Sequence, residues 1–133
     1  MASWYNSRLK RNKFNARAVY DIHGQRCFDS TGESVRYNQL ELLEKAGEIS
    51  SLELHPKVVL IDGNNDVPEI AWRIDYAYTE KGRKVWEDYK PRPITERERL
   101  LIRLWKHFGP GPLRITGKNG RIIKTVFAKR DRL

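Results

Sequence analysis

Apolar and polar positions fall into strand-like and helix-like blocks along this chain. From Ile70 to Lys90 the sequence IAWRIDYAYTEKGRKVWEDYK is dense in Val, Ile, Trp and Tyr, residues that suit a pleated, half-buried surface. It predicts two strands, Ile70–Thr79 and Arg83–Lys90, joined by a tight turn at Lys81-Gly82. If Glu80 pairs with Arg83, the ladder runs outward and sets Asp75 directly opposite Asp88. A four-residue loop gives the same register. Lys90 lies two residues beyond Asp88 and projects from the same face.

Two stretches carry helical spacing. Ser30–Gly47 opens with Ser30 and Glu33 in capping-box order. Tyr37, Leu40, Leu43 and Ala46 form its apolar stripe, and Gly47 ends it. The second helix starts at Thr95, with Glu98 completing another capping box, and runs to about Phe108. Its stripe is Leu101, Leu104, Trp105 and Phe108, and Gly109-Pro110-Gly111-Pro112 ends it. The remaining blocks are shorter. Ala16–Phe28 predicts two short strands turning near His23-Gly24. Leu52–Ile61 predicts one strand in which Pro56 marks an edge or a bulge, with His55 a surface or edge histidine. Leu113–Thr116 is a short strand, and Arg121–Ala128 a last strand or docked tail. Asp62–Glu69 is a turn-rich loop whose acids lack the EF-hand pattern, so calcium is not expected there.

This order predicts an α/β (α+β) fold, a central mixed sheet flanked by helices. Its core spans residues 16–116, between a basic arm at 1–15 and a basic strand or tail at 117–133. The chain has 133 residues, 39% of them hydrophobic, with four Trp, enough for one folded core. No apolar run approaches the ~20 residues of a membrane span, and MASWYNSRLKRNK does not read as a secretory signal. These features point to a cytoplasmic protein. The single Cys27 fits a reducing compartment and a buried, unreactive thiol.

The distribution of charge adds a partner. The net charge is +9, and residues 1–28 carry six Lys/Arg against one Asp. Residues 114–133 carry seven against one, while the segment between is near neutral. Basic ends on a balanced core are the footprint of a protein that touches phosphates at its periphery. Lys10, Arg11, Lys13, Arg17, Arg97, Arg103, Lys118, Arg121 and Lys124 are the expected contacts. Such contacts hold the backbone without reading sequence.

The facing acids add chemistry. Like charges directly opposite on one sheet face repel, so a cation belongs between Asp75 and Asp88. Mg²⁺ takes oxygen ligands and is often held by one or two carboxylates. Side-chain parity selects Asp88 over Glu87 as the partner of Lys90. Glu33 has two readings: a cap that needs no chemistry, or an inward carboxylate that joins the acids.

The order of helix with Glu33, strand with Asp75, then strand with Asp88-x-Lys90 resembles the PD-(D/E)XK nuclease superfamily. More narrowly, it is similar to small phage endonucleases of the endonuclease-I and Holliday-junction-resolvase type. The likeness covers roughly Lys13–Arg114 and is carried by FDSTGESVRYNQLELLEKAGEI, WRIDYAY, KVWEDYK and RERLLIRLWKHFGP. Ile74 stands where a proline often precedes the first Asp, and Pro91 where glycine often follows the lysine. The resemblance implies a restriction-endonuclease-like core and a catalytic set of Glu33, Asp75, Asp88 and Lys90. It implies Mg²⁺, with Mn²⁺ as substitute, held by Asp75, Asp88 and Glu33. It also implies a DNA substrate, duplex or branched, a homodimer if two strands are cut symmetrically, and a host-cell cytoplasm if the protein is phage-encoded. The competing reading is a catalytically inactive nuclease-fold protein that binds DNA or RNA. A ribosome-associated RNA-binding protein explains the basic ends but not the facing acids.

Overall fold

The computed structural model describes residues 19–20, 26–28 and 31–132. Lys10, Arg11, Lys13, Arg17, His23 and the cap residue Ser30 lie outside these residues, as do the side-chain surroundings of Cys27. Two compact units are present, Met1–Gln39 and Leu40–Leu133.

In the first unit, β1 (Val19–Tyr20) pairs antiparallel with β2 (Arg26–Phe28), matching the two short strands predicted there. Helix α1 (Thr31–Lys45) begins in this unit and carries Glu33, buried, in its first turn. The end of α1 is a Schellman motif around left-handed Gly47. Glu48 N–H donates to Leu43 O at 2.9 Å and Gly47 N–H to Glu44 O at 3.1 Å, which satisfies carbonyls the helix leaves open. The expected stripe is only partly buried. Leu40 is fully enclosed, but Leu43 and Ala46 are exposed. Helical spacing aligns residues on one side; it does not say how far along that side other elements reach.

The second unit is built on a five-stranded mixed sheet ordered β3-β6-β7-β8-β9. The strands are β3 (Ser50–Leu54), β6 (Tyr76–Glu80), β7 (Arg83–Tyr89), β8 (Leu113–Thr116) and β9 (Ile122–Val126). The β6–β7 hairpin has the predicted register, Glu80 opposite Arg83. Its turn residues Lys81 and Gly82 both have positive φ, 52° and 76°, the backbone twist two-residue hairpins favour. Within this sheet only β7 and β8 run parallel, and the crossover they need is helix α2 (Glu96–Phe108). Arg121–Ala128 resolves as strand β9 rather than a docked tail.

Two predicted strands are each broken. Leu52–Ile61 divides into β3 and β4 (Lys57–Ile61), and Ile70–Thr79 into β5 (Ile70–Arg73) and β6. β4 and β5 form a separate antiparallel pair. The two pairs are halves of one long hairpin. Leu54 faces Tyr76 on one side of the break and Lys57 faces Arg73 on the other, so the register is unchanged. His55 N–H donates to Asp75 O and Ile74 N–H to Pro56 O, both at 2.9 Å, carrying the ladder around the corner. Pro56 has no N–H to continue a regular strand, and His55 takes a left-handed φ of 55°. Together they bend the hairpin.

The core lies between this hairpin, one face of the large sheet and α2. Trp105 is completely buried, edge-on to Trp72 at 6.1 Å and to Trp86 at 5.7 Å between ring centroids. Its Nε1–H donates to Gly111 O at 2.8 Å, satisfying the one polar atom of the indole. A Cβ on Gly111 would stand 2.7 Å from the Trp86 ring, so the chain passes there only as glycine. Leu101, Ile102 and Trp105 form the buried side of α2. Ile102 takes a core place the stripe did not assign it, while Phe108, in the last turn, is half exposed.

Candidate metal centre at the end of strands β6 and β7

Side chains alternate along β7, and the alternation divides the acids. Trp86 belongs to the core beneath α2. Asp88 follows it on that face, and Glu87 points to the other. There Glu87 is fully buried and accepts from Tyr78 Oη at 2.6 Å and from Thr116 Oγ1 at 3.3 Å. Arg114 also donates to Tyr78 Oη and to Glu80. Burial first, and then the Glu87 carboxylate, push the Tyr78 hydroxyl well above its ordinary value. Glu87 is therefore a structural acid in a hydrogen-bonded set.

Asp75 and Asp88 stand one step beyond Tyr76 and Glu87, the last pair of the β6–β7 ladder. Each carboxylate accepts a backbone N–H from the opposite strand. Asp75 N–H donates to Asp88 Oδ1 at 3.2 Å, and Tyr89 N–H donates to Asp75 Oδ2 at 2.7 Å. The sheet ladder stops here, and the two side chains substitute for its missing acceptors. This reciprocal bonding holds two carboxyl groups side by side.

Lys90 enters from the same face, as its spacing predicts. Its Nζ lies 2.7 Å from Asp88 Oδ2 and 2.7 Å from Glu98 Oε2. The first contact is an ion pair that encloses Asp88 Oδ2 against the ammonium. Glu98 is the completed capping residue of α2 and also accepts from Thr95 N at 2.9 Å and from both Arg92 terminal nitrogens. One carboxylate thus caps the helix and steadies the lysine.

The protonation equilibria follow from this packing. Burial, reinforced by the charge on Asp75, raises the Asp88 carboxyl well above the usual range, and Lys90 only partly offsets it. Burial works against the Lys90 ammonium, but Asp88 and then Glu98 outweigh it and hold the amine above its ordinary value. Burial likewise opposes the Glu98 charge, yet Arg92, Lys90 and Thr95 pull that carboxyl far below the usual range. Lys90 and Glu98 are a fixed pair of opposite charges, and Asp88 is the strained member. A buried carboxylate held against a second one is the environment a hard cation relieves. The donor set fits Mg²⁺ or Mn²⁺.

The second unit therefore brings together three of the four residues expected to do chemistry: Asp75, Asp88 and Lys90. The fourth, Glu33, lies in the first unit. Arg97, Arg103, Lys118, Arg121 and Lys124 are all solvent-exposed. Two residues escaped sequence reasoning as site members. Glu98 was legible as a cap, but its reach to Lys90 depends on where α2 starts relative to β7. His55, expected at a surface or edge, is partly buried, and its ligand atom lies within 4.8 Å of that of Asp75. Carrying the hairpin register through the Pro56 break would have placed it there.

One family model matches residues 11–107, which include Glu33, His55, Asp75, Asp88, Lys90 and Glu98. No curated protein and no solved structure matches the chain.

Proposed function

The chain belongs to the DUF1064 family, described as a protein of unknown function, and from its own residues we propose that it is a metal-dependent DNA endonuclease. The observation that carries this reading is the Asp75–Asp88 pair. Two carboxylates are locked face to face by reciprocal backbone hydrogen bonds, with an ammonium 2.7 Å from the more buried one. A chain selected only for stability gains little from such a pair.

Asp75 and Asp88 would hold Mg²⁺ or Mn²⁺, and the ion would supply charge stabilisation and an activated water for phosphodiester hydrolysis. Lys90, kept protonated by Asp88 and Glu98, acts as a fixed positive charge beside the reacting phosphate rather than as a base. Arg97 and Arg103 on α2, and Lys118, Arg121 and Lys124 around the β8–β9 turn, bind backbone phosphates. The resemblance assigns Glu33 a further carboxylate role, which Glu33→Gln tests. A branched substrate and a homodimer are the finer parts of the proposal.

The test is cleavage of labelled four-way junction, duplex and single-stranded DNA, with and without Mg²⁺, beside Asp75→Asn. Metal-dependent cutting that the variant loses is the expected result, and the substrate ranking defines the activity. Salt-sensitive DNA binding without cutting under Mg²⁺ or Mn²⁺ refutes the endonuclease. That outcome favours the binding-protein reading, which has its own support: Lys90 already balances Asp88 and Glu98 within the protein.

A further inference from the structure

The corner of the long hairpin places a metal-binding side chain, His55, beside Asp75. Leu54 opposite Tyr76 and Lys57 opposite Arg73 define one register on both sides of the break. In that register His55 falls opposite Asp75, which stands one step beyond the last β6–β7 pair, Tyr76 and Glu87. The backbone ties the pair together, His55 N–H donating to Asp75 O at 2.9 Å. The ligand atoms of His55 and Asp75 lie within 4.8 Å of each other, a separation one ion can bridge. A further feature belongs to the same end of the sheet: Asp88, bonded to the Asp75 backbone, is 1% exposed, and the Lys90 ammonium at 2.7 Å is the one cation against its Oδ2 among the described residues. The left-handed φ of His55 is uncommon for a residue with a side chain, and the Pro56 corner maintains it.

We propose that His55 is a nitrogen ligand of the metal centre and that it shifts the preference of the site from Mg²⁺ towards Mn²⁺. The inference rests on the metal-site reading above. Mg²⁺ takes oxygen ligands and keeps most of its water. Imidazole nitrogen suits transition ions better than it suits Mg²⁺. An all-carboxylate centre would have no such bias. With His55 included, the site has a mixed nitrogen and oxygen set.

The probe is Mn²⁺ alone, added to the full chain without DNA and observed by pulsed electron paramagnetic resonance. A ¹⁴N coupling to bound Mn²⁺ is expected in the wild type. His55→Asn is the informative variant, because asparagine tolerates the left-handed backbone and offers an amide oxygen in place of the imidazole nitrogen. It should still bind Mn²⁺, lose the ¹⁴N coupling, and lower the Mn²⁺ to Mg²⁺ affinity ratio by about tenfold, the scale of one altered contact around a metal. Bound Mn²⁺ without ¹⁴N coupling in the wild type overturns the role of His55 and leaves the Asp75–Asp88 centre standing. A coupling that persists in His55→Asn overturns it too. No Mn²⁺ binding by the wild type overturns both this inference and the metal site on which it rests.

Discussion

Glu98 joins helix capping, charge and the site, so its removal is the most informative perturbation of stability. Its two oxygens receive Thr95 N, Thr95 Oγ1, both Arg92 nitrogens and the Lys90 ammonium, all within 3.2 Å. Glu98→Gln keeps the length and one cap acceptor. It removes the charge and turns an amide NH₂ toward the Arg92 and Lys90 cations, which can only donate. Breaking a buried ion pair from one side costs about 3–5 kcal/mol. Arg92 is partly exposed and Lys90 retains Asp88, so the lower end applies, about 3 kcal/mol. For a chain of this length that is a fall in Tm of roughly 10 °C. The pH dependence separates the charge from simple packing. The Glu98 carboxyl titrates well below its unfolded value of about 4.3 when folded. Its contribution is therefore fully present above pH ~4.3 and is lost as the pH falls toward the folded value. Urea unfolding followed by Trp fluorescence at pH 7, 5 and 3 gives both quantities. The gap between wild type and variant should be constant from pH 7 to 5 and narrow at pH 3. A gap below about 0.5 kcal/mol at pH 7, within the range of an ordinary surface change, or one that stays the same down to pH 3, would refute the reasoning.

Two further outcomes follow from the same geometry. Trp105→Phe removes the hydrogen bond to Gly111 and part of two edge-on indole contacts, and should cost about 2–4 kcal/mol in urea unfolding, between a lost buried hydrogen bond and a full truncation; a loss under 1 kcal/mol would show that this contact does not anchor α2. If Arg97 and Arg103 each contact one DNA phosphate, alanine at both should reduce the slope of log K against log salt by roughly two, measured by fluorescence anisotropy, and an unchanged slope would remove α2 from the interface.

Much of the site was legible without coordinates, because it depends on parity and short-range register. The spacing of Asp88 and Lys90 puts both on one face of any strand. The Lys81-Gly82 turn determines which residue of β6 opposes which residue of β7. Thr95 and Glu98 mark a helix start by chemistry local to four residues. The strand breaks were not legible. Pro56 announces an irregularity, but whether the chain bulges, ends or turns a corner depends on the hydrogen bonds its neighbours find with Ile74 and Asp75. Nor could the spacing of α1 show that Leu43 and Ala46 would be left exposed, since burial depends on the surface beneath a stripe.

Local pattern alone was enough to say which side chains share a face of the β6–β7 hairpin, where α2 starts, and where charge accumulates. The first two follow from backbone geometry over a few residues, the third from composition. It took the folded chain to bring the capping carboxylate of α2 to Lys90 and, at the Pro56 corner, His55 to Asp75. The fold also decided that Glu87, one residue from Asp88, is enclosed in a hydrogen-bonded set on the opposite face. These are contacts between segments separated by a turn, a helix or a change of sheet. They depend on burial and on long-range hydrogen bonding, which no local pattern encodes.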